Sequence, residues 1–528
     1  MRQPSQASSL LFSPSRRRLL KAGLFAAAVA SLSPVVKAAG RRVLFSDYPF
    51  KLGVASGSPT ADGFVLWTRL CPDPLHGGGM GVQQVPLRWE VATDEAFGNV
   101  VRSGTWMAMA GLAHSAHVSV TGLAPGRWYF YRFLVGNEVS PTGRTRTLPA
   151  PGQNVDRLRF ALASCQHFEF GYFSAYRHML KDDVDFVAFV GDYIYEYNAD
   201  NGIVRQHAAP EPYSLDAYRN RYAQYKLDAD LTAMHQAVPW LLTIDDHDVM
   251  NDWAGDVGED LDPNFPERRG NGLQAWFEHQ PLPMEALLPQ RRLQLYGSTG
   301  YGDLARFHVL EDRQHRDPEV CSHDGMGGSN FEATDAACPG RLDKKRTILG
   351  GEQEAWFDRQ LGASKARWNV VVQESLVSPL PSPGKNGPEF FTDAWDGYPG
   401  ARDRLIQSIR KHRVENPVVI GGDYHCTIAC DMKADYAKPE SVTIGSEFVG
   451  TSLTSPGMPQ ATLDAKIGFN PHARFGDSVH RGYLTFELRH DGMDVQTRSM
   501  AAIDTHDAAC TTTKRFHVEA GRPGVLDG

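Results

Sequence analysis

No stretch of this 528-residue chain is apolar for long enough to cross a membrane. The run near the start, Ala22 to Leu32, has only eleven residues, where a spanning helix needs about 20. Internal repeats are absent, and so is any low-complexity tract beyond the first 38 residues. That excludes solenoid and fibrous architectures. Cysteine is scarce: there are seven, an odd number, so full pairing into disulfides is excluded. Positive charge is also short, 54 Lys and Arg against 62 Asp and Glu. An acidic chain is a poor general partner for nucleic acid. It also needs something local, such as metal ions, to draw in an anionic substrate.

What is present begins with an export signal. Ser15-Arg16-Arg17-Arg18-Leu19-Leu20-Lys21 is a twin-arginine cluster, the short apolar run follows, and Val36-Lys37-Ala38 suits cleavage. Residues 1–38 therefore read as a Tat signal peptide. The implied partner is the Tat translocase, and the implied location is the periplasm or the outside of the cell. Residues 1–38 hold six basic and no acidic residues, so the mature chain carries 48 basic and 62 acidic side chains, a net −14. An oxidising destination permits disulfides. Cys321 and Cys338 bracket a Gly/Ser/Asp-rich loop and read as a clip, while Cys165 reads as free.

Two patterns follow in the chain. From 45 to 148, "GFVLWTRL", "PLRWEVAT", "AHVSVTGL" and "RWYFYRFLV" alternate apolar and polar positions between turns such as "LAPGR". This predicts a small β-sandwich of fibronectin type III character, with "TRTLPAPG" as an exit linker. From 157 to 505 the strands become continuous apolar runs: "LRFALASC", "VDFVAFVGD", "VPWLLTIDDHD", "RWNVVVQES" and "NPVVIGGDYH". Such runs predict strands buried on both faces. With helical stretches between them, such as "AYRNRYAQYKLDADLTAMHQA", they predict an α/β or four-layer αββα domain. Residues 506–528 read as a C-terminal tail.

The polar residues that end those runs are the informative ones. They are Cys165, Asp192 with Tyr195, the series Asp245-Asp246-His247-Asp248, and Asp423 with His425. Each alone is bland. A buried cysteine is usually inert packing, and Gly-Asp after a strand is usually a turn. Four strands each delivering a metal-ligating side chain to one sheet edge, where open sheets place ligands, is a stronger signal.

The series resembles the metallophosphoesterase superfamily, with departures. Cys165 stands where the first aspartate would be, Tyr195 follows Asp192 by three, Asp246 replaces an asparagine and Asp423 a histidine. Those departures, with "GVASGSPTADGFVLWTRL", "YRNRYAQYK", "RDPEVC", "AWDGYPGARDRL" and "FVGTSLTSPG", resemble the PhoD-type alkaline phosphatase/phosphodiesterase family across nearly the whole chain. The family usually has Glu at the position of Asp248 and Asn at that of Asp252; these differences bear on any ligand role of Asn251, a further candidate, and Asp252.

The resemblance implies ferric iron with calcium, and the donors agree. A phenol or thiol ionises near neutrality only beside strong positive charge, so Cys165, Asp192, Tyr195 and His425 suit Fe3+. Asp192 would bridge to a second cation held by Asp246 and Asp423, an anionic oxygen set that favours Ca2+. Glu374 or Gln373 is a candidate further donor. His247 is the expected general acid or phosphate stabiliser. Arg219 or Arg221 is a candidate phosphate grip, and Trp395 and Asp396 are candidates for the pocket wall. The implied reaction is hydrolysis of small phosphate esters, with metal-bound hydroxide attacking phosphorus in line. A phospholipase D-like diesterase acting on lipid headgroups and a non-catalytic metal-binding surface module are the alternatives.

Overall fold

The computed structural model describes residues 45–528, apart from Asp324; the expected signal peptide lies outside the described residues. Among the described residues no helix is long and apolar enough to cross a membrane.

Two mixed sheets carry the fold. Across the larger, the neighbouring strands are Arg522–Asp527, Cys510–Glu519, Gly492–Met500, Arg481–Leu488, Leu158–Ala163, Phe186–Val190, Trp240–Thr243, Val54–Gly57, Phe64–Arg69 and Ser115–Val120. The second runs Gly297–Tyr301, Ala305–Val309, Trp368–Val372, Pro417–Gly421, Thr443–Val449, Thr427–Lys433 and Ala473–Asp477. The apolar runs became strands because nothing in them prefers water: Phe186–Val190, Trp240–Thr243 and Pro417–Gly421 are buried throughout. Phe160 stacks between Phe186 and Phe486 at 5.2 and 4.7 Å and meets the edge of Phe307 from the second sheet. That cluster continues through Val370, Ile420 and Phe448, so the two sheets share one core. Each fully buried Phe there contributes about 1.5–3 kcal/mol.

Helices cover the outer faces. Leu215–Lys226, Ala229–Ala237 and Phe265–His279 close a second core over the larger sheet. Gly351–Ala363 and Pro399–His412 do the same for the second sheet. The long helical stretch read from the sequence is broken at Asp228, whose carboxylate accepts from the Asp230 and Leu231 N–H groups and starts a new helix.

Three expectations change. The N-terminal strands do not form a separate fibronectin-type sandwich. Val54–Gly57, Phe64–Arg69 and Ser115–Val120 extend the large sheet, joined by a parallel pairing at Gly57 and Trp240. The facing sheet has five strands: Val100–Ala108, Val85–Ala92, Trp128–Val135, Glu138–Val139 and Gly143–Arg146. One apolar cluster, including Leu66, Val118, Leu87 and Phe133, fills the space between. "TRTLPAPG" is not a linker from its start, since Gly143–Arg146 pairs with Trp128–Val135. Nor is 506–528 a tail: Cys510–Glu519 pairs with Gly492–Met500, Arg522–Asp527 pairs with Cys510–Glu519, and Phe516, Val518 and Val525 enter the shared core.

Candidate metal centre

Strands Leu158–Ala163, Phe186–Val190 and Trp240–Thr243 are adjacent and parallel, so their carboxyl ends share an edge. Pro417–Gly421 ends beside them from the second sheet: Gly422 Cα could not carry a side chain without meeting Ser164. The Cys165 and Gln166 N–H groups donate to the carbonyls of Gly191 and Asp192, stitching two strand ends together. Gly191 has φ 92°, and a Cβ on it would lie 2.3 Å from that of Asp245. Only glycine allows that approach.

Three groups of ligand atoms result, each with members within 4.8 Å of one another: Cys165, Asp192 and His425; Asp192, Asp246 and His247; and Asp245, Asp246 and Asp423. Asp192 and Asp246 each belong to two groups. Tyr195 Oη donates to Asp192 Oδ2 at 2.7 Å and lies 3.0 Å from His425 Nε2. Cys165, Asp192, Asp423 and His425 have φ of 56°, 54°, 65° and 54°. Left-handed backbone at non-glycine residues costs on the order of 1–3 kcal/mol each and gathers at functional sites.

The donor set fits a pair of cations. Asp245 Oδ2, Asp246 Oδ1 and Asp423 Oδ2 are buried without a hydrogen-bond partner. Burial raises the carboxyl of Asp423 well above the usual range, and Asp393 and Asp246 add to it. Asp246 is raised too, by burial and then by Asp192 and Asp393, against His247 and Arg313. Burial, then Asp192, pushes the Cys165 thiol and the Tyr195 phenol well up. Anionic ligands this crowded ionise together only when cations neutralise them.

Stability should therefore fall with rising pH without metal and stay level with metal bound. Asp245, Asp246 and Asp423 have folded-state pKa values raised above about 3.8. Without cations, folding favours their protonated forms, and that stability is lost as pH rises through the raised values. Chelator-treated protein should melt at progressively lower temperature from about pH 4 upward. Loaded protein should hold its melting temperature over the same range, and a pH series on both forms checks it.

His247 lies 12% exposed. Its Nδ1 meets Glu196 Oε2 at 2.9 Å, leaving Nε2 available, and its backbone N–H donates to Asp192 Oδ1. Burial works against its positive charge, but Asp246, Glu196 and Asp192 raise its pKa well above the ordinary value.

The other expected site residues have different roles. Arg219 is held by both Glu278 oxygens at 2.7 Å and by Asp216. Arg221 is buried and donates to the carbonyls of Tyr195, Glu196, Ala209 and Pro210. Neither guanidinium is free to grip phosphate; Arg221 instead fixes the loop bearing Tyr195. Trp395 and Asp396 are core, the indole donating to Gln373 and the carboxylate binding Arg402. Gln373 also bonds Ser375 through both ends of its amide, so it has no donor to spare. Glu374 accepts from Thr243, and its other oxygen is unpartnered, but it is outside the three groups. Asn251 gives its backbone N–H to Glu196.

Sequence reasoning missed three participants and placed Asp245 in the strand-end series without giving it a ligand role. Asp245 joins a ligand group although it also accepts from Arg313. Glu196 orients His247, and its position next to Tyr195 was the available signal. Ser455 Oγ lies 2.7 Å from Tyr195 Oη and 2.9 Å from the Cys165 carbonyl. Arg313 is fully buried and binds Asp245 and, through two nitrogens, Asp393. The linear sequence carries no sign of these last two pairings, which span 260 and 80 residues.

Residues 160–497 match the PhoD-like phosphatase family, and 36–149 match the N-terminal domain of PhoD-like phosphatases. The chain belongs to the PhoD-like phosphatase family. It is 43% identical over 492 residues to alkaline phosphatase D of Bacillus subtilis (strain 168), covering 91% of this chain and 82% of that protein. A solved structure of PhoD superposes with a TM-score of 0.87 at 43% identity, covering 92% of this chain and 93% of that one. The mixed α/β sheets and the β-rich N-terminal segment are thus those of a PhoD-like phosphatase.

Proposed function

We propose that the chain is an exported, metal-dependent hydrolase of phosphoric esters that takes both mono- and diesters and holds ferric iron and calcium. Phosphoric ester hydrolysis rests on its kinship with alkaline phosphatase D. The observation that carries the metal assignment is the clustering of buried anionic donors, three of them with unpartnered oxygens, in three groups linked through Asp192 and Asp246.

Cys165, Asp192, Tyr195 and His425 would hold the iron; Asp192, Asp246 and Asp423, with Asp245 beside them, would hold calcium. Bound there, the two cations supply fixed positive charge against the phosphoryl group and acidify water. The chain's own residues do the rest. Glu196 holds His247 by Nδ1, so the proton on Nε2 is placed to pass to the departing ester oxygen. His247 and His425, 12% and 23% exposed, and the partly exposed Asp423 keep contact with solvent, while Asp192 is 1% exposed. That burial keeps water from screening the charge interactions. Two sheets sharing a core under outer helices support the four-layer αββα reading. The twin-arginine start supports Tat export to the periplasm or beyond.

The test is rate on an aryl phosphate, an aryl phosphodiester and phosphatidylcholine, before and after calcium chelation. The first two should be cleaved and chelation should silence both. Cleavage of phosphatidylcholine alone would favour a lipid diesterase, and no cleavage of any would favour a surface module. Tyr195→Phe removes the phenol that ferric iron would bind. The purified protein should be coloured, and the variant should lose that visible absorption and at least about 10²-fold in kcat, on the scale of a lost transition-state contact. An equally coloured and active variant would refute the tyrosinate.

A further inference from the structure

The disulfide-closed loop lies against the divalent half of this centre. Cys321 and Cys338 are bonded, closing a loop 17 residues in span. At its middle, Ser329 gives both its backbone N–H and its hydroxyl to one oxygen of Asp252, at 3.0 and 2.6 Å. The Asp252 backbone N–H in turn donates to Asp246 Oδ2 at 2.9 Å. Asp252 has φ 50°, so this N–H is aimed by a backbone conformation that the residue does not favour.

The approach of the loop is close. A Cβ on Gly328 would lie 2.9 Å from Glu259 Cγ and 3.1 Å from Asp252 Cβ. A second connection leaves from the next residue. Asn330 gives its backbone N–H to the Thr392 hydroxyl, accepts at its carbonyl from the Thr392 N–H, and donates its side-chain amide to the Cys321 carbonyl. Thr392 precedes Asp393, which Arg313 grips while also gripping Asp245. Both routes end on carboxylates of the Asp245, Asp246 and Asp423 group. Among the described hydrogen bonds, none runs from the loop to Cys165, Tyr195 or His425.

We infer that Ser329, held in place by the Cys321–Cys338 clip, is a positioning residue for the divalent-cation site, acting through Asp252 on Asp246. The inference rests on the metal-centre reading above. A carboxylate ligand binds best when its remaining lone pairs are fixed by neighbours. Removing the Ser329 hydroxyl frees Asp252 and with it the N–H that orients Asp246. Opening the clip lets the whole loop retreat, so both routes loosen together.

The experiment uses the full exported protein with iron in place, stripped of divalent cation by chelator and titrated with Ca2+ by calorimetry. Ser329→Ala should weaken Ca2+ binding about tenfold, the lower end of what a lost outer partner costs a metal ligand. Ser329→Thr, which keeps the hydroxyl, should bind close to the unaltered protein. The Cys321→Ser/Cys338→Ser double variant should weaken binding at least as much as Ser329→Ala, and carries the test if that variant does not fold. All three should keep the visible absorption, because no described hydrogen bond runs from the loop to the proposed iron donors. Unchanged Ca2+ affinity in Ser329→Ala overturns the inference alone, as does loss of the visible band together with calcium. Unaltered protein that takes up no Ca2+ overturns both the inference and the reading beneath it.

Discussion

Asp192→Asn should abolish phosphate-ester hydrolysis, lowering kcat by about 10³-fold or more, while the protein remains folded. The expected size follows from where the side chain sits. Asp192 is the carboxylate common to the Cys165–His425 group and the Asp246–His247 group. One oxygen accepts from Tyr195, the other from the His247 backbone. Burial opposes its ionisation, yet His247, His425 and Tyr195 hold its pKa below the ordinary range. Among the carboxylates of the three ligand groups it is thus the one whose neighbours favour the charged form over burial. Asparagine keeps the shape but removes the charge and offers a donor where Tyr195 and His247 require an acceptor. Losing a single preorganised transition-state contact costs about 10²–10³-fold, and this change would disturb both proposed cation sites at once. Steady-state rates on an aryl phosphate, paired with metal content per chain, measure it. Activity within tenfold of the unaltered enzyme would remove Asp192 from the centre.

Arg313→Met should cost about 3–5 kcal/mol of folding stability, the usual consequence of stripping one partner from a buried ion pair. Arg313 is completely buried, as are Asp245 and Asp393. Burial would suppress the arginine's charge, but those two carboxylates, with Asp246, raise its pKa well above the ordinary value. Burial would likewise raise Asp393, but Arg313 and Arg316 hold it far below its usual 3.8. A depressed carboxylate contributes stability above its unfolded pKa and loses it as pH falls through the folded one. The gap between variant and unaltered protein in urea unfolding should therefore be widest near neutrality and narrow below about pH 4. A gap under about 1 kcal/mol at pH 7 would mean that Arg313 is dispensable to the fold.

The central strands were legible because burial on both faces leaves an uninterrupted apolar record. Phe186–Val190 and Pro417–Gly421 show this, each ending where a ligand begins. Strand ends thus marked Cys165, Asp192, Asp246, Asp423 and His425. The C-terminal strands were not legible because Cys510–Glu519 alternates exposed and buried positions in a polar sequence. Its strand character comes from pairing with Gly492–Met500, not from its own residues. That the N-terminal sandwich would share a sheet with the rest of the chain was not legible for a related reason: alternation predicts a strand but not the sheet it will join. Arg219 and Arg221 misled because helix spacing reveals the face they share, not the acceptors waiting there. Glu278 lies 59 residues beyond Arg219. Arg313 and Ser455 went unnoticed for the same reason, since their partners are brought near only by the completed sheets.

Metal content and the visible spectrum of the purified protein bear most directly on the proposal that four strand ends hold two unlike cations. One iron and at least one calcium per chain, with a visible band that Tyr195→Phe removes, is the predicted result. Colourless protein that contains no iron and still cleaves phosphate esters at full rate would contradict it.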